Sequence, residues 1–251
     1  MAIVFITGAS SGFGKACAQK FAASGYSIIL NARRTERLLA LKADLEKSYK
    51  ASVYLLPFDV TNKNEVETAI KNLPDNWKRV DILINNAGLA AGRDFFQDGD
   101  IQDWEKMIDT NVKGILYVTK FLVGEMIKRK SGHIINVSSL AGQEIYPQGN
   151  VYCASKHAVT ALSKGMRMDL VQHNIKVTNI SPGLAETEFS FVRFHGDEEK
   201  AKQVYEGYTP LSAEDIADVI YFAATRPAHV NLEEITILPT AQSDSRTIRK
   251  E

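Results

Sequence analysis

Short continuous apolar runs alternate along this chain with longer stretches whose apolar positions recur every three or four residues. Runs of the first kind fit strands buried on both faces, and the three-to-four spacing fits helices with one apolar stripe. Read this way, strands are predicted at Ala2–Thr7, Tyr26–Ala32, Ala51–Phe58, Asp81–Asn85, His133–Ser138, Ile175–Ser181 and Ile235–Leu238. Helices are predicted at 12–24, with Phe13, Cys17, Phe21 and Ser24 on one stripe, at Thr35–Tyr49, with Leu38, Leu41 and Leu45, and at Asn62–Leu73. A long helical pattern covers about 103–130 and closes on Lys128, Arg129, Lys130 and Gly132, the basic last turn and glycine that suit a helix end. Asn150–His173 and Ser212–Thr225 complete the helices, the latter opening on Ser212-x-x-Asp215, the spacing of a capping box.

Strands separated by helix-length segments imply βαβ units, and right-handed crossovers turn these into a doubly wound parallel sheet with helices on both faces. No linker or repeat interrupts the alternation, so residues 1–251 are expected to form a single α/β domain. The stretch of about 183–211 carries no strand. An insertion there lies at the carboxyl edge of the sheet, where such proteins hold ligands, and is expected to be a substrate lid. The alternating charges of Asp197, Glu198, Glu199, Lys200 and Lys202 within it read as a solvent-facing helix.

Composition narrows the picture further. Apolar residues make up 45% of the chain and charged residues 24%, which excludes a disordered polymer. Lys and Arg total 30 against 30 Asp and Glu, so there is no basic excess to meet nucleic acid or an anionic membrane. No apolar run approaches the length of a membrane span, and the start of the chain lacks the basic region of a signal peptide, so a cytoplasmic location is expected. Two cysteines, Cys17 and Cys153, are too few for a disulfide framework or a zinc site and read as reduced core thiols. No metal is expected.

The first predicted strand runs into Thr7-Gly8-Ala9-Ser10-Ser11-Gly12-Phe13-Gly14 at the mouth of a helix. A dinucleotide pyrophosphate needs close backbone approach at such a point, and glycine permits it. The second strand ends Asn31-Ala32-Arg33-Arg34, with no acid to accept from a ribose 2′-hydroxyl. Two guanidiniums suit a 2′-phosphate instead, so NADP is expected rather than NAD. Asp59 ends the third strand and could accept from an adenine amino group. Asn85-Asn86-Ala87-Gly88 closes the fourth, and paired amides in a strand suggest hydrogen-bond wiring rather than packing.

Tyr152 and Lys156 lie four apart on a predicted helix and share a face. A neighbouring ammonium is expected to lower the phenol's pKa and make Tyr152 a general acid–base. Ser138 and Ser139 both sit at the end of the fifth strand, and strand alternation lets one hydroxyl face the ligand crevice. Asn111 falls inside the long helix, where an amide is mildly unfavourable.

These residues resemble the short-chain dehydrogenase/reductase family. Thr7–Gly14 is similar to its cofactor loop and Asn85–Gly88 to its Asn-Asn-Ala-Gly motif. Asn111, Ser139, Tyr152 and Lys156 match its catalytic tetrad in order and spacing, and Pro182-Gly183 with Thr187 matches the stretch that touches the nicotinamide amide. The resemblance implies a Rossmann sheet of seven strands ordered 3-2-1-4-5-6-7 and an NADP site formed by Gly8, Ser10, Ser11, Gly12, Phe13, Gly14, Arg33, Arg34, Asp59, Val60, Asn86, Ala87, Gly88, Tyr152, Lys156, Pro182, Gly183 and Thr187. Within the family the chain is similar to the NADP-dependent 3-hydroxy acid dehydrogenases. That group implies serine, L-allo-threonine or 3-hydroxypropanoate as substrate and a homotetramer. The likeness breaks at Gln143, Glu144 and Gln148, which stand where the active-site wall is expected. In the implied mechanism Tyr152 moves the alcohol proton, Ser139 polarises the carbonyl oxygen, Lys156 holds the ribose, and Asn111 positions a relay water.

The substrate's carboxylate needs a cation. Arg193 in the lid is the candidate, with His195 and Arg93 as further cations, and Ser139 and Tyr152 are expected on the reacting oxygen. A reductase of another small carbonyl, sulfoacetaldehyde among them, would suit the same cation. A non-catalytic dinucleotide sensor is the reading from a different class, and the full tetrad speaks against it.

Overall fold

The computed structural model describes residues 1–251. Its elements in chain order are β1 (Ile3–Ile6), α1 (Gly12–Ala23), β2 (Ser27–Leu30), α2 (Thr35–Tyr49), β3 (Val53–Leu55), α3 (Lys63–Lys71), β4 (Val80–Asn85), α4 (Ile101–Ile108), α5 (Gly114–Arg129), β5 (Gly132–Val137), α6 (Asn150–Leu170), β6 (Ile175–Pro182), α7 (Glu188–Arg193), α8 (Glu198–Gln203), α9 (Ala213–Ala224) and β7 (Glu234–Ile237). The seven strands form one sheet in the order β3-β2-β1-β4-β5-β6-β7, and every pair is parallel. This is the single-domain Rossmann arrangement expected from the sequence. The order reverses between β1 and β4, so a crevice opens there beyond the strands' carboxyl ends.

Strand alternation explains the two cores. Val4 and Ile6 of β1 pack with α1, α2 and α9 on one face, where Cys17, Phe21, Leu38, Leu41, Leu45, Ile216 and Ile220 are buried. Ile3 and Phe5 point the other way, onto α3 and α5 through Val66, Ile70, Val118, Leu122 and Met126. Of the stripe predicted on α1, Ser24 is exposed and closes the helix, its hydroxyl donating to Lys20 O at 3.0 Å. The capping box of α9 is present, with Ser212 Oγ accepting from the Asp215 amide at 3.1 Å. Both cysteines are buried free thiols. No helix is long and apolar enough to cross a membrane.

The long helix expected over 103–130 is two helices joined by a π-helical turn at Asp109–Lys113. Its extra residue rotates Asn111 into the interior, where the side chain is fully buried. There Asn111 Oδ1 accepts from the Leu89 amide at 2.8 Å, and Nδ2 donates to Leu89 O at 2.8 Å and Ser155 Oγ at 3.0 Å. Such turns recur at functional sites. The stretch of 183–211 holds the two short helices α7 and α8 and folds down over the crevice. The charged run expected to face solvent lies on α8, which buries none of its residues.

Candidate active site

The crevice is a cleft of about 610 Å³. Its floor at one end is the turn between β1 and α1. Gly8 and Gly12 adopt φ of +65° and +50°, which L side chains rarely reach. A methyl group at Gly14 would lie 2.6 Å from Asn86 Nδ2 and press on the Gly8 carbonyl. Ser11, at the N-cap, accepts from none of the first-turn amides through its side chain, and no acid stands in the first turn of α1. The helix therefore presents free amides and a positive end to whatever enters. Thr7 and Asn86 fix this turn. Thr7 Oγ1 accepts from the amides of Asn86 and Ala87, each at 3.0 Å, and Asn86 Nδ2 donates to Thr7 O at 2.8 Å. Asn85 bridges Thr119 and Asn136 beneath the cleft, the wiring that paired amides suggested.

Arg34 reaches the cleft and donates to Ser10 Oγ and Ser11 Oγ, each at 3.1 Å. Arg33 is exposed and lies 3.5 Å from Asp59. The Asp59 carboxylate is engaged by the amide and hydroxyl of Thr61, both at 2.9 Å. Val60 is buried beneath it. A third guanidinium, Arg37, escaped notice in the sequence. It clasps Glu188 at the start of α7 at 2.8 Å and 2.9 Å, and Arg34 touches the same carboxylate at 3.4 Å. Partial burial opposes ionisation of Glu188, but the Arg37 hydrogen bond and the charges of Arg37 and Arg34 hold its pKa low. Thr187 caps α7, accepting from the Phe189 amide at 3.2 Å, and its Cβ is 3.5 Å from where a side chain at Gly12 would begin. The 183–211 stretch thus rests on the glycine turn. At its root, Gly183 packs on Gln242, whose Oε1 accepts from the Leu184 amide at 2.8 Å just beyond Pro182.

Three of the tetrad residues, Ser139, Tyr152 and Lys156, line the other end of the cleft, whereas Asn111 is fully buried and does not line it. The structure separates the two serines. Ser138 is buried and turned to α6, where it donates to Lys156 O at 3.1 Å, whereas Ser139 stays part-exposed beside Tyr152 and accepts from the Ala141 amide at 3.1 Å. Lys156 Nζ donates to Val137 O at 3.0 Å and is 6.0 Å from the Tyr152 ring centroid. The expected lowering of the Tyr152 pKa by Lys156 is absent. Burial raises the phenol's pKa and the neighbouring Tyr146 adds to the rise, while the Ser139 hydroxyl and the Arg193 charge pull against it. Burial also pushes the Lys156 ammonium down, to about 8. Both groups are therefore held toward their neutral forms.

Arg193, at the end of α7, hangs over this cluster. Its Cζ is 5.6 Å from the Tyr152 ring centroid and 5.7 Å from that of Tyr146. Nε donates to Gly92 O at 3.3 Å and Nη1 to the Tyr146 hydroxyl at 3.1 Å, but Nη2 is buried with no partner. His195, which the sequence offered as a second cation, instead meets Asp103 of α4 at 2.9 Å, outside the cleft. Arg93 is exposed at the cleft wall. The wall expected at Gln143, Glu144 and Gln148 is built differently. Gln143 pairs with Glu234 and Thr236 at 2.9 Å, Glu144 accepts from the Ser245 amide at 2.7 Å, and none of the three lines the cleft. Tyr146 and Phe189 stand there instead, Phe189 with its ring 5.8 Å from Tyr152. Neither has a spacing signal. Only their sequence proximity to Tyr152 and to the lid could have drawn attention.

A glycine-floored crevice at the reversal of a parallel sheet, closed by a serine, a tyrosine and a lysine, defines a dinucleotide-binding oxidoreductase fold. The comparisons with known proteins carry this further. Residues 2–196 match the family model described as short chain dehydrogenase, and the chain belongs to that family. It is 44% identical over 242 residues to the NADP-dependent 3-hydroxy acid dehydrogenase YdfG of Salmonella typhi, covering 96% of each chain. It is 45% identical over 241 residues to the sulfoacetaldehyde reductase of Chromohalobacter salexigens, covering 96% of this chain and 94% of that one. Among solved structures, the closed form of serine dehydrogenase complexed with NADP+ superimposes with a TM-score of 0.94 at 40% identity, covering 99% of each chain.

Proposed function

We propose that this protein is an NADP-dependent oxidoreductase that passes hydride between NADP(H) and a small 3-hydroxy acid, with serine, L-allo-threonine and 3-hydroxypropanoate as candidate substrates. The observation that carries the substrate class is the buried, unpaired Nη2 of Arg193 above Tyr152. A buried donor without a partner is costly unless a ligand completes it, and a carboxylate is a geometric match for a guanidinium. The names of the 3-hydroxy acid dehydrogenase and serine dehydrogenase relatives agree with it.

The residues present fit the cofactor. The Gly8, Gly12 and Gly14 turn with Ser10, Ser11 and Phe13 would hold the pyrophosphate, and Arg33 and Arg34 the 2′-phosphate. Asp59, Val60, Asn86, Ala87 and Gly88 would line the adenosine side. Pro182, Gly183 and Thr187 would line the nicotinamide side, and Lys156 would hold the ribose. When bound, NADP(H) supplies or takes up the hydride. Tyr152 is the acid–base on the substrate oxygen. Its raised pKa keeps it protonated at neutral pH, ready to give its proton in the reductive direction. Ser139 donates to the same oxygen and steadies its developing charge. Asn111 holds the π turn next to Lys156, where the relay water is expected. The same reading includes a mobile lid at 183–211 and a cytoplasmic homotetramer, supported by the family likeness and by the exposure of Leu116 on α5 and Met168 on α6.

The test is the initial rate of NADP+ reduction with the three acids. Turnover of at least one supports the reading, as does a Tyr152→Phe variant that loses turnover by orders of magnitude yet binds NADPH. A Tyr152→Phe enzyme of near-normal rate overturns the assignment of the acid–base. The second reading, a sulfoacetaldehyde reductase, is favoured by the Chromohalobacter relatives and by the same cation. It wins where NADPH oxidation with sulfoacetaldehyde outruns malonic semialdehyde in kcat/KM.

A further inference from the structure

We propose that Tyr146 is a specificity-determining residue, and that its hydroxyl and Arg193 Nη2 form a two-donor receptor for the anionic end of the substrate. The inference rests on the 3-hydroxy acid reading and adds to it the residue that makes an anion, rather than a neutral group, the preferred occupant.

Arg193 Nη1 donates to the Tyr146 oxygen at 3.1 Å, and this is the hydroxyl's only hydrogen bond. The Tyr146 proton is thus left free to donate elsewhere. Burial raises the Tyr146 pKa, with Arg193 and Arg93 pulling against the rise, so the hydroxyl keeps that proton at neutral pH. Beside it, Arg193 Nη2 is a second donor, buried and without a partner. Both side chains line the cleft with Tyr152 and Ser139. Two adjacent unused donors, one of them on a cation, suit a group with two or more anionic oxygens. Arg193 Cζ is nearly equidistant from the two tyrosine rings, at 5.6 Å and 5.7 Å. An anion held between Arg193 and Tyr146 therefore sits a short spacer away from an oxygen on Tyr152, which a 3-hydroxy acid supplies.

The receptor is fixed from outside. The Tyr146 ring lies against Gly149, where any side chain would collide with it. Arg193 is held by the Gly92 carbonyl, and Gly92 in turn donates its amide to Arg193 O at 3.0 Å. Fixed donors lose little freedom when the ligand arrives.

The test titrates NADPH-loaded protein with 3-hydroxypropanoate, with isethionate and with neutral 1,3-propanediol, and compares Tyr146→Phe and Arg193→Gln with the wild type. Loss of one hydrogen bond to a charged group lowers affinity by about tenfold to a hundredfold. Tyr146→Phe is expected to weaken the anions by that factor relative to the diol, with NADPH affinity and melting temperature retained. Arg193→Gln is expected to weaken them at least as much. The ratio of isethionate to 3-hydroxypropanoate affinity identifies which anion the receptor prefers. An unchanged anion-to-diol ratio in Tyr146→Phe overturns the proposal, and so does a wild type that binds neither anion. Because binding is read without turnover, anion binding that depends on Tyr146 in a protein that oxidises none of the acids sinks the 3-hydroxy acid reading alone.

Discussion

His133 shows how much a single residue can set. It is buried on β5 with Nε2 2.8 Å from Thr178 Oγ1 and Nδ1 unpartnered. Burial, and to a lesser degree the nearby Lys176, pushes its pKa down to about 3. The folded-state value lies below the unfolded one, so the neutral ring stabilises the fold above the unfolded pKa of about 6.5 and that contribution is lost as pH falls from there toward about 3. Roughly 1 kcal/mol per pH unit is at stake in that window. Thermal melting followed from pH 7 to pH 4 is expected to show this fall, and a His133→Gln variant to show less of it. A variant with the same slope would remove His133 as its cause. Tyr152 supplies the second residue-scale expectation. Its raised pKa predicts that oxidation accelerates as pH climbs from 7 toward 10, since the base form is scarce at neutrality, while reduction does not. Initial rates in both directions check this. At this scale the convergence of Ser139, Tyr152 and Lys156 on one end of the cleft was legible because motif order and spacing reinforce each other, whereas the direction of the Tyr152 shift was not. That direction depends on how the Lys156 ammonium is aimed, and the backbone carbonyl of Val137 captures it.

Among the elements, the strands and most helices were legible from periodicity, with ends differing by a few residues. The break between α4 and α5 was not, because one inserted residue leaves the apolar stripe nearly continuous. The six-residue helices α7 and α8 are too short to show a period. The π turn makes a prediction of its own. Asn111→Ala removes three hydrogen bonds and leaves the half-buried Leu89 amide and carbonyl without this partner, so it is expected to cost about 1–3 kcal/mol. Denaturant unfolding measures this, and a cost below about 0.5 kcal/mol would mean that the turn stands without its amide. The glycine turn of β1 and α1 makes another. Gly14→Ala forces a methyl onto Asn86 and the Gly8 carbonyl, so NADPH affinity is expected to fall more than it does for Gly25→Ala, where open space surrounds the added atom although its φ of +83° strains the backbone. Fluorescence titration of the two variants compares them.

For the whole molecule, the doubly wound sheet was legible from alternation and handedness, since few topologies satisfy both. How the 183–211 stretch folds back was not. Its anchors are side chains from distant parts of the chain, Arg34 and Arg37 at one end and Asp103 at the other. Exposed ion pairs contribute about 0–1 kcal/mol, so Glu188→Gln is expected to leave the melting temperature nearly unchanged while speeding proteolysis within 183–211. Digestion no faster than in the wild type would show that Glu188 does not hold this stretch down. Helix α7 spans only six residues. Glu188 at its first residue holds Arg34 and Arg37, and Arg193 at its last overhangs Tyr152. On the proposed function, with Arg34 on the 2′-phosphate and Arg193 on the substrate's anion, a helix that touches both makes the two binding equilibria interdependent, and thermodynamic linkage makes that dependence mutual. Whatever factor the extra phosphate of NADP adds to substrate affinity over NAD, the substrate must return in full as preference for NADP. Selectivity for the coenzyme is then a property that rises and falls with substrate concentration.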